Sequence, residues 1–211
     1  MTIYQTQLGP IATNCYIVAD EEKNAAVVDP GAEAARVKKI LDDHQLRLRA
    51  VLLTHGHFDH IGGIKGLIEA FPDAEVVIGE KDAPMLAKKP GAMWTPYIDE
   101  DDYTGLSAPR LVKEGDAVQV GALEFSVLDT PGHTRGGVCY LCGDCLFSGD
   151  TLFRFECGRT DLDGGDYPTI LRSLKKLHDL PGDYRVLPGH DALSTLEEER
   201  RGNPYMKEAV R

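Results

Sequence analysis

The sequence predicts an α/β protein arranged as a four-layer αββα sandwich, on three observations. Apolar runs of strand length alternate with amphipathic helical segments along the chain. These runs fall into two successive parts, each rich in strands and closed by helices. The 211 residues are also enough to bury a large core. Two sheets packed face to face, with helices over both outer faces, bury such a pattern completely.

In the first part, CYIVAD (15–20) and AAVVDPG (25–31) read as strands, and AEAARVKKILDDH (32–44) has apolar positions at helical spacing. The run AVLL (50–53) is a buried strand leading into THGHFDH. IGGIKGLIEAF (61–71) is a helix and AEVVIG (74–79) a short strand. The second part opens on an alternating hairpin around Gly121 in AVQVGALEFSVLDTPGH (117–133). VCYLCGDCLF (138–147) is a second hairpin turning at Gly-Asp, DYPTILRSLKKLHDL (166–180) a helix, and YRVLPGH (184–190) a last strand. Between the parts, about 82–110, Pro84, Pro90, Pro96 and Pro109 predict an irregular cap over a site. Trp94 and Tyr97 in it are suited to lining a pocket or an interface. The expectation is one domain, 1–211, with that insertion.

Composition narrows the function. A formal net charge of −11, with no Lys/Arg stripe, argues against an extended nucleic-acid surface. A few local cations could still hold a small anion. No apolar run approaches the roughly 20 residues that cross a bilayer. The opening MTIYQTQLGP lacks the features of a signal peptide, so the expected location is cytoplasmic. Five cysteines without a secretion signal do not suggest a disulfide framework. Cys139, Cys142 and Cys145 read as small apolar residues of the hairpin; the alternative, an iron–sulfur site, lacks the close fourth cysteine followed by proline.

The chemistry is concentrated where strands end. THGHFDH places His55, His57, Asp59 and His60 directly after a buried strand. His133 ends LDTPGH, Asp150 ends LFSGD, His190 ends VLPGH, and Asp29 lies in VVDPG. Any one of these alone is a turn residue. Jointly they place imidazoles and carboxylates at strand ends, where a rigid scaffold presents chemistry. Such ligands suit zinc, iron or manganese. His44 and His178 fall among charged neighbours on predicted helices and read as surface residues.

T-H-x-H-x-D-H with the later G-H, G-D and G-H elements resembles the metallo-β-lactamase-fold hydrolases, and within them the short glyoxalase II-like branch. The resemblance runs from NCYIV to the end of the chain. It implies a two-metal site, most simply zinc, along one edge of the sandwich. His55, His57 and His133 would bind one ion, Asp59, His60 and His190 the other, and Asp150 would bridge them. Asp29 would stand behind the ligands, holding a loop or a histidine N–H.

A hydroxide shared by two cations is a nucleophile near neutral pH, and one cation can polarise a carbonyl. A thiolate leaving group needs little protonation, thiol pKa values lying near about 8.5. The leaving-group argument favours a small acyl thioester, the resemblance implies one such as S-lactoylglutathione, and hydrolysis with Asp59 and Asp150 essential is the expected reaction. The C-terminal glutathione-binding segment of full-length glyoxalase II enzymes has no counterpart after His190, where DALSTLEEERRGNPYMKEAVR reads as one closing helix. Arg154 and Arg159 are candidate contacts for an anionic substrate group, or surface arginines. CGRTDL (157–162) and LPGHDALSTLEEERRGNP also resemble persulfide dioxygenases, which hold one iron through the equivalents of His55, His133 and Asp150. A lactonase is a further alternative, and a closed, non-catalytic metal site a third class. The number of copies in the assembly is not legible from the sequence.

Overall fold

A computed structural model describes residues 1–87 and 108–211. The first sheet contains β1 (Thr2–Leu8), β2 (Thr13–Ala19), β3 (Asn24–Val28), β4 (Arg47–Leu52), β5 (Glu75–Gly79) and β6 (Arg110–Val112), side by side in chain order. Its first three strands pair antiparallel; from β3 to β6 the pairing is parallel. Helices α1 (Ala34–Asp43), α2 (Phe58–Ile61) and α3 (Ile64–Ala70) belong to this half.

The second sheet contains β7 (Ala117–Val120), β8 (Leu123–Asp129), β9 (Val138–Cys142) and β10 (Cys145–Gly149), followed in the chain by the small hairpin β11 (Leu152–Phe153) and β12 (Glu156–Cys157). Helix α4 (Tyr167–His178) then leads to β13 (Arg185–Pro188) and β14 (Ser194–Thr195), giving the order β14-β13-β10-β9-β8-β7. Helices α5 (Leu196–Gly202) and α6 (Pro204–Ala209) close the chain.

Strand alternation sorts the buried side chains into three apolar layers between four structural ones. In β2, Cys15, Ile17 and Ala19 join the layer under α1 and α3, whereas Tyr16 and Val18 join the layer between the sheets. Every residue of β2 is buried, as expected for a strand covered on both faces. Phe125, Tyr140 and Phe147 fill the middle layer. Leu146, Leu174, Leu177 and Met206 form the third, between the second sheet and α4 to α6. The predicted αββα sandwich is the observed fold.

Several local expectations change. Polar alternation in TIYQTQL hid β1, which pairs with β2 over its whole length, from Thr2↔Ala19 to Leu8↔Thr13. The single closing helix is two: Pro204 has no N–H for a continuous helix, and Asn203 Oδ1 accepts from the amides of Tyr205 and Met206 to start α6. Regular structure reaches into both described ends of the segment read as irregular. Asp82 is buried, Ala83–Ala87 forms a 3₁₀ turn, and Arg110 already pairs with Val77 of β5. The remainder, with Trp94 and Tyr97, lies outside the described residues.

The cysteine hairpin forms as read, with Cys142 opposite Cys145. Those two face the layer between the sheets and Cys139 faces the opposite layer, so the three cannot share a cluster. His44 is exposed; His178 is half-buried and bonds Asp179. No helix among the described residues is long and apolar enough to cross a membrane.

Candidate metal centre

The candidate ligands lie at the C-terminal ends of strands that share a direction within each sheet. Strands β3 and β4 are parallel neighbours, and past their ends come Asp29 and the loop Thr54–His57. In the second sheet β8 and β10 both run antiparallel to β9, and β13 runs parallel to β10. Their ends therefore deliver His133, Asp150 and His190 to one edge. The turn of α2 adds Asp59 and His60.

All of the predicted ligands come together there. His55, His57 and His133 form one group, His55, His60 and Asp150 a second, and Asp59, His60 and His190 a third, with the ligand atoms of each group within 4.8 Å of one another. The shared residues make one continuous cluster. His57 Nδ1 lies 2.8 Å from His133 Nε2, and His190 Nε2 lies 3.1 Å from Asp59 Oδ2. Asp150 approaches three rings: Oδ1 is 3.3 Å from His60 Nε2, and Oδ2 is 3.5 Å from His133 Nε2 and 3.6 Å from His190 Nε2.

Protonation states follow from the surroundings. His133 Nδ1 donates to the Arg159 carbonyl at 2.7 Å, which leaves the Nε2 lone pair aimed into the cluster. Burial, reinforced by neighbouring imidazoles, pushes His55 well below its ordinary value and His57 down to about 4. Both rings are thus neutral at pH 7, each with a lone pair to offer a cation. At His60 burial opposes the charged form, but Asp59, Asp150 and Asp29 outweigh it and raise the imidazole well above its usual range. Burial likewise opposes ionisation of Asp59 and Asp150, yet His60 leads the interactions that hold both carboxyls low. The site calls for buried positive charge.

His55 Nε2, His60 Nε2 and Asp150 Oδ1 are buried and have no hydrogen-bond partner among the described residues. Buried polar atoms left unpaired are costly, and these three belong to the same cluster. Imidazole nitrogens facing carboxylate oxygens, with His60 carrying positive charge that a cation would replace, fit divalent cations, and the donor set suits zinc, iron or manganese.

Asp29 lies behind the cluster. It accepts from Thr54 N at 2.8 Å and Thr54 Oγ1 at 2.7 Å, and its Oδ2 lies 2.9 Å from His60 Nδ1. The two candidate arginines stand differently. The Arg159 guanidinium is exposed and held by both oxygens of Asp161, so its backbone carbonyl, through His133, is what touches the centre. Arg154 is exposed, 5.5 Å over the ring of Phe155.

Four supporting residues escaped the sequence reading. Thr13 Oγ1 donates to Asp59 Oδ2 at 3.1 Å. Asn14 Nδ2 donates to the carbonyls of Pro188 and Asp191, on either side of Gly189-His190. Tyr16 OH donates to the Pro188 carbonyl at 2.7 Å. Asp82 accepts from Gly56 N, Thr134 Oγ1 and Gly136 N. The polar pair Thr13-Asn14 opening a wholly buried strand was the available signal; Asp82 carried none.

Comparison with known proteins agrees with this geometry. The family model for the metallo-beta-lactamase superfamily matches residues 8–190. Hydroxyacylglutathione hydrolase GloC of Haemophilus influenzae is 35% identical over 199 residues, covering 92% of each protein. The crystal structure of BLEG-1 B3 metallo-beta-lactamase superposes with a TM-score of 0.88 at 36% identity, covering 97% of this chain and 99% of that one. The crystal structure of ETHE1 from Myxococcus xanthus gives 0.80 at 33% identity, with 97% and 84% covered. With its fold, its strand-end histidines and aspartates and this family match over most of its length, the chain belongs to the metallo-beta-lactamase superfamily.

Proposed function

We propose that the chain is a dinuclear metallohydrolase that cleaves a small acyl thioester, S-lactoylglutathione being the first candidate. The observation that carries the reading is the continuous cluster of three donor groups, with its buried unpaired nitrogen and oxygen atoms. His55, His57 and His133 would hold one ion, Asp59, His60 and His190 a second, and Asp150 would serve both. Two cations there would supply an activated water and polarisation of the acyl carbonyl. The chain's residues hold that arrangement: Asp29 locks the first ligand loop, and the Arg159 carbonyl fixes the His133 tautomer. A thiolate departs with little protonation, which favours a thioester over an amide. Similarity to GloC supports a glutathione thioester. Arg154 and Arg159 are the proposed contacts for its carboxylates, Arg159 exchanging its exposed partner Asp161 for the substrate. The reading entails a small-molecule substrate, with no nucleic-acid or membrane partner, acting in the cytoplasm.

Zinc-, iron- and manganese-loaded protein should be assayed against thioesters, lactones and a β-lactam. Turnover of S-lactoylglutathione, abolished in Asp59→Ala and Asp150→Ala, is the expected result. The likeness to ETHE1 and the segment CGRTDL favour a second reading, a one-iron persulfide dioxygenase using His55, His133 and Asp150. In that case Asp59→Ala would largely retain oxygen uptake with glutathione persulfide, and no thioester would turn over.

A further inference from the structure

Apart from Asp29, which reaches both Thr54 and His60, the two halves of the centre hang on different supports. Asp82, only 1% exposed, stands between the ligand loops of the two sheets. Its Oδ2 accepts from Gly56 N at 3.1 Å, between His55 and His57, and from Thr134 Oγ1 at 2.7 Å, next to His133. Its Oδ1 accepts from Gly136 N at 2.6 Å. Packing here demands glycine: a Cβ at Gly136 would meet Asp82 N at 2.4 Å and Oδ1 at 2.8 Å, and one at Gly56 would meet Met85 Cβ at 2.6 Å and the Asp82 carbonyl at 3.2 Å. The other half is held from β2. Asn14 fixes both sides of the His190 turn, and Thr13 bonds Asp59 directly. Neither support bonds a ligand side chain of the other half, although Gly56 lies three residues before Asp59 in the same segment.

We propose that Asp82 is a positioning residue for one half of the centre: its carboxylate sets the mutual placement of His55, His57 and His133 across the two sheets, while Thr13 and Asn14 independently set Asp59 and His190. The inference rests on reading those two groups as separate metal sites. Bonds behind metal ligands typically change affinity by about 10–100-fold when removed, because the ligand rings lose their orientation. A partner that braces one triad alone should therefore shift one binding step alone.

The test is zinc titration against a chromophoric chelator, without substrate, on wild type, Asp82→Ala and Asn14→Ala. His57→Ala and His190→Ala identify which binding step belongs to which triad. Asp82→Ala should weaken the three-histidine step by about 10–100-fold and leave the Asp59–His60–His190 step within about twofold of wild type. Asn14→Ala should show the reverse. Equal weakening of both steps, or of neither, in folded variants would overturn the proposal. Should Asp82→Ala not fold, Asp82→Asn keeps the side-chain size and an acceptor for Gly136 N but sets an NH₂ toward Gly56 N; it should give a smaller loss confined to the same step. A wild type that binds two ions yet cleaves no thioester would refute the proposed function and leave this inference standing. A wild type that binds no zinc would refute the inference itself.

Discussion

Tyr16 shows how one side chain joins packing to the site. Its ring fills the layer between the sheets, edge-on to Phe147 at 5.6 Å between centroids, and its hydroxyl reaches the carbonyl of Pro188, two residues before His190. Burial and the nearby Asp29 charge push the phenol up, so it remains a hydrogen-bond donor throughout the ordinary pH range. Tyr16→Phe keeps the packing and removes the donor. Pro188 O retains Asn14 Nδ2, so no carbonyl is stranded and the expected loss is about 1 kcal/mol, read from urea unfolding. A loss above about 3 kcal/mol would mean that the hydroxyl supports more than this one carbonyl. At this scale the candidate ligands were legible, because a histidine or aspartate after a Pro-Gly or Ser-Gly strand end is visible in a string of letters. Asp82 was not: its three donors come from positions 56, 134 and 136, and nothing local to DAPML announces them.

Among the elements, the β7–β8 hairpin illustrates how the sheets are fastened away from the metal edge. Asp20, just after β2, accepts from Asn24 N at 2.7 Å in its own sheet and from Ala122 N at 2.9 Å across the sandwich. Gly121 turns there with φ +58 and has no room for a Cβ, which would lie 2.0 Å from Asp20 Oδ2. Burial alone would raise the Asp20 carboxyl, but the bonds from Asn24 and Ala122 outweigh it and hold the group below its usual 3.8. A depressed folded-state pKa contributes stability above the unfolded value and loses it as pH falls through the folded value. Asp20→Asn should therefore cost about 1–3 kcal/mol at pH 7, with the difference from wild type shrinking once pH drops below 3.8. Urea midpoints measured from pH 7 to 3 check this; a difference independent of pH would assign the loss to packing. The hairpin around Gly121 was readable from its alternation, whereas β1 and the break between α5 and α6 were obscured. A half-exposed edge strand has little apolar period to detect, and the helical pattern of the C-terminal tail does not show that Asn203 caps a new helix.

For the whole molecule, metal held by the cluster would cross-link the sheets, since the first sheet delivers His55 and His57 and the second delivers His133, Asp150 and His190. Ions bound only by the folded state stabilise it by mass action, about 2.7 kcal/mol for one site at a hundredfold excess over Kd. In a chain of this size each kcal/mol moves Tm by about 2–4 °C, so saturating zinc should raise Tm by about 5–11 °C per site over chelator-treated protein. Calorimetry with and without EDTA measures it. A shift of zero would remove the cross-linking role and with it the assigned ligand set.

Two kinds of information thus contributed. By itself the sequence determined the four-layer architecture and singled out the strand-end histidines and aspartates that come together, because strand periodicity and turn residues act over a few positions and strand ends are where such residues gather. Only the tertiary structure decided which ligands neighbour one another, that the Arg159 carbonyl rather than its guanidinium supports His133, and that Asp82, Thr13, Asn14 and Tyr16 brace the site. Those decisions rest on hydrogen bonds between residues as far apart as Asn14 and Pro188, formed only once two sheets have packed and buried their donors together.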